Sequence, residues 1–235
     1  MTDRLVSYFR SSDALRSRSV SSVVLSGMAH VPMLPTRLVA DWHRDVSLER
    51  ATGEVEVLSL PRARVRWPDY PHCVQAARDW TGTLGLQALL ADCDVALMAC
   101  CGAKYHHDGG QYGGMAFCNF FLSEDRGLDL HFPFTGHRIP LRRGLLVLFD
   151  TAQPHGVVAR GSSGFNAADF ASGQDASQVF LTWELPIENF DVAQALGLAF
   201  DVGFSAPLMG DEEQVWLGDA RVSVCPTSGR WHPYD

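Results

Sequence analysis

The sequence predicts a mainly β protein, an antiparallel sandwich or barrel with a helical layer on its N-terminal side. Three observations carry this. Residues 94–185 hold six short apolar runs separated by turn residues, with no helical pattern between them. Residues 34–92 carry two stretches whose apolar positions recur at helical spacing. The 235-residue chain is 46% hydrophobic and 20% charged, an ordinary globular composition and enough for one well-filled domain.

The first eighteen residues are polar and broken by charge, so they do not read as a secretory signal. Residues 34–46 open with Pro35 near a helix start and set Leu38, Val39, Trp42 and Val46 on one face. Residues 55–60 alternate, are rich in β-branched side chains and stop at Pro61, the pattern of a strand. A longer helix follows from Pro71, with Val74, Ala77, Trp80, Leu84, Ala88 and Leu89 on its apolar stripe and Gly82 and Gly85 weakening its middle. The strands of the core are expected at 95–101, 114–123, 128–134, 145–150, 155–159 and 178–185. Between the last two lies a loop, 161–176, rich in Gly, Ser, Ala and Asp; connections of that length are commonly functional. Residues 190–196 read as a short helix and 214–224 as a strand. No repeat or linker interrupts the chain, so one domain is expected over 1–235. It comprises a mixed, helical N-terminal layer (1–92), a β core (93–186) and a C-terminal extension (187–235).

The formal charge of -8, with only short basic runs at 62–66 and 142–143 and scattered arginines near the N-terminus, excludes a nucleic-acid backbone as the main partner. No apolar run reaches the eighteen or so residues of a membrane span. The six cysteines show no C-x-x-C pair, and Cys93, Cys100, Cys101 and Cys118 lie in or beside apolar runs where a free thiol packs as a small hydrophobe. A soluble protein of a reducing cytoplasm is expected.

Chemistry concentrates at His106-His107-Asp108, an H-x-D pair. An iron that binds both oxygen and an organic ligand needs three protein donors on one face and its other positions open; two imidazoles and one carboxylate supply this. His155, which follows the apolar run 145–150 and begins another, is placed to be the second imidazole. H-x-[DE] is weak alone: with nine His and twenty-seven acidic residues, about one chance match is expected. His43-Arg44-Asp45 is such a match, in a helical stretch with no strands after it. The β runs that follow His106 decide for His106, Asp108 and His155.

Tyr105 to Val158, about a quarter of the chain, resembles the core of the Fe(II)/2-oxoglutarate-dependent dioxygenase superfamily. The resemblance runs through YHHDGG, AFCNFFLS, GLDLHF and RRGLLVLFDTAQPHGVV, in that order and spacing. It implies a double-stranded β-helix (a cupin-like jelly roll), Fe(II) on His106, Asp108 and His155, and 2-oxoglutarate and O2 as co-substrates. It implies oxidation, by default hydroxylation, of a small molecule or a peptide side chain. A carboxylate at the Asp108 position speaks against halogenation. The resemblance also implies a basic partner for the far carboxylate of 2-oxoglutarate, about ten residues past the distal His. Here the strand 177–184 has no Arg or Lys, and the nearest candidate is Arg160. In an unbroken strand Arg160 has the opposite parity to His155, so it serves only where a bulge or strand end re-aims it. Arg138, Arg142, Arg143 and Lys104 are the other options, while Tyr105 and Asn119 are expected to border the pocket and hydrogen-bond a carboxylate. An iron oxygenase that does not use 2-oxoglutarate, or a non-catalytic cupin-like metal protein, are the alternatives. The substrate and the oligomeric state are not legible.

Overall fold

The apolar runs of the core become strands because their two faces have different work: one packs inward, the other against helices. The computed structural model describes residues 5–12, 14–48, 52–170, 175–202 and 214–234, with the side chains of 43–48 outside that set. In chain order the elements begin with β1 (Leu5–Ser11), β2 (Ala14–Ser19) and β3 (Val24–Met28), then α1 (Thr36–Leu48), β4 (Val55–Leu58), α2 (Leu60–Arg64), α3 (Tyr70–Gly82) and α4 (Leu89–Asp92). The core strands are β5 (Val95–Cys101), β6 (Ala103–His106), β7 (Met115–Phe121), β8 (Leu128–Phe132), β9 (His137–Pro140), β10 (Leu145–Asp150), β11 (His155–Ala159) and β12 (Ser177–Pro186). α5 (Phe190–Leu196), β13 (Gln214–Leu217), β14 (Ala220–Val224) and β15 (Trp231–Pro233) complete the chain. None of the described helices is long and apolar enough to cross a membrane.

A six-stranded sheet, β3-β10-β7-β12-β5-β4, faces a four-stranded sheet, β6-β11-β8-β9. Every strand pairing within them is antiparallel. Most core strands, β8 and β9 excepted, alternate between the two sheets along the chain, which is the winding of a double-stranded β-helix. On the six-stranded sheet, parity separates two cores. Cys118, Phe120, Leu146, Leu148, Leu181 and Trp183 pack outward with Trp42, Trp67, Ala77 and Leu90 of the helical layer. Phe121, Val147, Phe149 and Phe180 point inward toward Leu130, Phe132 and Val157 of the four-stranded sheet.

The fold class is as the sequence predicts, and several short elements extend it. Before residue 92 the apolar pattern reveals one strand, but β1, β2 and β3 are present as well. β1 and β2 form a hairpin that joins the C-terminal β13, β14 and β15 in a third, five-stranded sheet. ALRSRS is too polar for a hydrophobic pattern to single out and LVSYFRS does not alternate cleanly; the edge that β1 pairs with lies some two hundred residues away (Leu5 opposite Leu217). The four-residue strands β6 and β9 are too short to show periodicity. The helix from Pro71 ends at Gly82, at the weakness its glycines introduce. The single run at 214–224 is a hairpin, turned at Gly218 with φ of 59°. His43 and Asp45 fall in α1, their side chains outside the described residues.

Candidate metal centre

Three donors converge where β6 ends and β11 begins. His106 is the last residue of β6 and lies directly opposite His155, the first of β11. Facing residues of an antiparallel pair project to the same side, so the two imidazoles stand together, ring centroids 4.5 Å apart. Asp108 arrives two residues later, in the turn that DGG dictates: its carbonyl accepts from the N–H groups of Gln111 and Tyr112, at 2.9 and 2.7 Å. One donor atom from each of the three residues lies within 4.8 Å of the others, and this is the group of described residues arranged to hold a metal ion. The Asp108 carboxylate is 3.4 Å from His155 Nε2 and 3.8 Å from His106 Nε2.

The donor set fits a metal in protonation as well as in position. His106 Nδ1 donates to the Lys104 carbonyl at 2.7 Å and His155 Nδ1 to the Gln153 carbonyl at 3.0 Å. A carbonyl oxygen only accepts, so each Nδ1 carries the proton and each Nε2 presents its lone pair to Asp108 and the shared centre. Burial, with His106 beside it, lowers the His155 pKa to about 4, so this ring is neutral and ready to ligate at physiological pH. The Phe149 ring lies edge-on to it at 4.8 Å, with Phe132 at 6.1 Å, forming an apolar wall on the barrel side. His106 and Asp108 keep 36% and 23% side-chain exposure, so the opposite side is open.

The turn between β10 and β11 is held from behind. Arg18 and Asp150 form a fully buried, two-pronged ion pair, both bonds 2.7 Å. Asp150 also accepts from the N–H groups of Ser21 (2.7 Å) and Ala152 (2.9 Å), while Arg18 Nε donates to the Gly113 carbonyl at 2.8 Å. The adjacent Thr151 binds the metal turn twice: its carbonyl accepts from Asp108 N–H at 2.8 Å, and its hydroxyl donates to Tyr112 or Met115. Gly109 is required here, because a Cβ would meet Ala152 Cβ at 2.9 Å. His107 turns away from the donors toward Trp231, 5.3 Å between rings, and its burial lowers its pKa to about 4. The terminal sheet thus braces the ligand-bearing loops, a role that no motif in the sequence announced.

The remaining residues singled out in the sequence separate by face. β6 is bulged against β11: His106 pairs with His155 and Ala103 with Val157, leaving Lys104 and Tyr105 opposite Gly156. Tyr105 therefore lies on the outer face of the four-stranded sheet, its hydroxyl bonded to His131 Nδ1 at 2.5 Å. Arg160 is engaged on the same outer side. Its Nε donates to Asp129 at 2.9 Å and its two terminal nitrogens to Asp125 at 3.0 Å. Arg138 approaches Asp129 at 3.8 Å and donates to the Ser162 carbonyl, Lys104 reaches Glu54 at 3.9 Å, and Arg143 reaches Glu124 at 3.3 Å. Asn119 lies on the inner face, paired across the sheet with Thr182 and with Val147. Among the described residues of the two facing sheets, no Lys or Arg lies on an inner face. The chain therefore fits the metal, whereas the far carboxylate of 2-oxoglutarate finds no cation inside the barrel. Thr182, Gln178 and Glu184 share the inner face of β12; they escaped the sequence reading because period-2 parity identifies a face but not which face meets the metal.

Fold and site together define a jelly-roll protein with a two-histidine, one-carboxylate metal face. No family model and no curated protein sequence matches the chain. Solved structures are similar in fold. The collagen prolyl hydroxylase of Paramecium bursaria Chlorella virus-1 is 10% identical, with 76% of this chain and 96% of that chain covered and a TM-score of 0.42. For a Pseudomonas putida prolyl-4-hydroxylase the figures are 16%, 69%, 92% and 0.39. For the non-haem α-ketoglutarate-dependent carbocyclase SnoK of nogalamycin biosynthesis they are 10%, 82%, 91% and 0.38.

Proposed function

We propose that this protein is a non-haem Fe(II) oxygenase, with His106, Asp108 and His155 as its metal ligands, that oxidises a small organic molecule or an amino-acid side chain, by default through hydroxylation. The observation that supports this reading is the donor set: two imidazoles with Nδ1 tied to backbone carbonyls, and one carboxylate, together on one face and open on the other. His106, Asp108 and His155 would hold ferrous iron, which would supply oxygen activation beside an organic ligand. The chain itself orients the donors and walls off water. Phe149 and Phe132 shield the barrel side, and the bond from Asp108 N–H to Thr151 holds the carboxylate against His155. A non-catalytic metal protein is disfavoured by the exposure of His106 and Asp108, which leaves the site accessible.

For the co-substrate, 2-oxoglutarate is what the resemblance implies. A second reading, an oxygenase of the same fold that does not use it, is favoured by the commitment of Arg160 to Asp125 and Asp129. The test begins with metal alone: Co(II) titrated anaerobically into the purified chain is expected to bind once per chain with a visible d–d spectrum, and His155→Ala is expected to abolish it. Fe(II)-dependent oxygen uptake then reports the oxygenase, and succinate formed per oxygen consumed separates the two co-substrate readings. Metal binding that survives His155→Ala would overturn the assignment.

A further inference from the structure

The barrel interior carries a layered record of what it admits. Inward residues of adjacent strands form layers two residues, or about 7 Å, apart. The layer beside the metal contains Phe149, 4.8 Å from the His155 ring, together with Phe117, 6.2 Å from Phe149. The next layer in is Val147, Asn119 and Thr182, neighbours in register across β10, β7 and β12. Beyond it Phe121 and Phe180 pack at 5.1 Å and close the floor.

Asn119 and Thr182 are the polar members of the middle layer. They are 7% and 6% exposed, and neither Asn119 Oδ1 nor Thr182 Oγ1 has a hydrogen-bond partner among the described residues. Buried polar atoms are nearly always paired, and leaving one unmet costs about 1–3 kcal/mol. Two such atoms side by side, one layer in from the metal, mark the place of a ligand group. The charge of that group follows from its surroundings. No Lys or Arg faces it from the described strands. The acidic Glu184 stands two residues from Thr182 on the same face, its carboxyl pushed up by burial and by Asp94. An unpaired carboxylate brought into this layer loses its hydration and gains no counter-ion.

We infer that the organic ligand seated beside the metal is a 2-oxo acid with an uncharged far end, held there by Asn119 and Thr182. This rests on the oxygenase reading above and departs from 2-oxoglutarate as its co-substrate. The keto acid's own carboxylate would be balanced by the metal that His106, Asp108 and His155 would hold; the other end meets a hydroxyl and an amide. The Thr182 hydroxyl donates to a carbonyl or ester oxygen, and the Asn119 amide offers a donor or an acceptor according to its rotation.

The experiment uses the full chain loaded with Co(II) under anaerobic conditions, with affinity read from perturbation of the d–d spectrum. Three probes share one chelating end: 2-oxoglutarate, its 5-methyl ester, and 2-oxopentanoate, which has a methyl group in place of the far carboxylate. The ester is expected to bind at least ten-fold more tightly than 2-oxoglutarate. Thr182→Val is expected to weaken the ester five- to ten-fold and leave 2-oxopentanoate unchanged, and Thr182→Ser to restore the ester. Tightest binding of 2-oxoglutarate would overturn the inference, as would an equal loss for all probes in Thr182→Val or no binding of any probe to a chain that holds Co(II). Failure to hold Co(II) at all is a different result, seen before any probe is added; it refutes the metal centre and this inference with it.

Discussion

Replacing Arg18 with methionine tests the claim that the terminal sheet braces the metal loops through one buried charge pair. In the wild-type protein Asp150 accepts four hydrogen bonds, two of them from Arg18 at 2.7 Å, with both side chains fully buried. Methionine fills much of the arginine stem's volume but leaves Asp150 buried without its counter-ion and with half its bonds. Breaking a buried pair from one side costs about 3–5 kcal/mol. At about 2–4 °C per kcal/mol for a chain of this size, the melting temperature is expected to fall by roughly 6–20 °C. Arg18→Met/Asp150→Leu removes both charges and is expected to recover part of the loss, with the Ser21 and Ala152 N–H groups left unmet. The assay is urea unfolding of the metal-free proteins, read by tryptophan fluorescence, beside a Co(II) titration of each. Because Thr151 and Gln153 continue directly from Asp150 to the ligands, Co(II) affinity is expected to fall with stability in Arg18→Met. A loss below about 1 kcal/mol, or a double variant less stable than the single, would refute the reasoning.

Three further outcomes follow from the same geometry. Gly156→Ala brings a Cβ to 2.8 Å from Tyr105 Cδ1 and 2.9 Å from the Ala103 carbonyl, so denaturant unfolding should show a loss of about 1–3 kcal/mol, in contrast to a smaller loss at Gly114, where the nearest atom to a Cβ is Phe9 Cδ2 at 3.4 Å. Arg160→Gln is expected to leave both Co(II) affinity and the affinity for 2-oxo acids unchanged, because its guanidinium is bonded to Asp125 and Asp129 on the outer face; a ten-fold loss for 2-oxoglutarate would place Arg160 in the site instead. Among the six cysteines, Cys225 is expected to alkylate first. Hydrogen bonds from Ser228 and Thr227 lower its pKa to about 6, so it is mostly thiolate at pH 7 and its labelling rate should fall as pH drops below 6, while burial holds Cys73 and Cys118 near 12 and unreactive in the folded protein. Peptide mapping after brief iodoacetamide treatment at several pH values reads this directly.

How much of the site was legible depended on distance along the chain. His106, Asp108 and His155 could be picked out because each sits at a strand end that local apolar runs announce, and because H-x-D carries its own chemistry. The decoy at His43 shows that the motif alone decides nothing; the strands after His106 do. Arg18 could not be read as part of the site. It lies 132 residues from its partner Asp150, in a strand whose serines and arginines give no apolar pattern. The face of Tyr105 follows by alternation from that of His106, but which side of β6 turns toward the second sheet is set by its pairing with β11.

The sequence by itself determined the fold class, the strand-rich core and the three side chains of the candidate metal centre. These follow from short-range periodicity and from the intrinsic chemistry of imidazole and carboxylate, which do not depend on the rest of the chain. The tertiary structure alone decided which side chains share a face with the candidate metal ligands. It set Arg160 outside against Asp125 and Asp129, Asn119 beside Thr182 inside, and joined the two chain ends into a sheet behind the ligands. Those outcomes depend on strand register, where a shift of one residue moves every side chain to the other face, and register is chosen by long-range pairing energies that no local pattern contains.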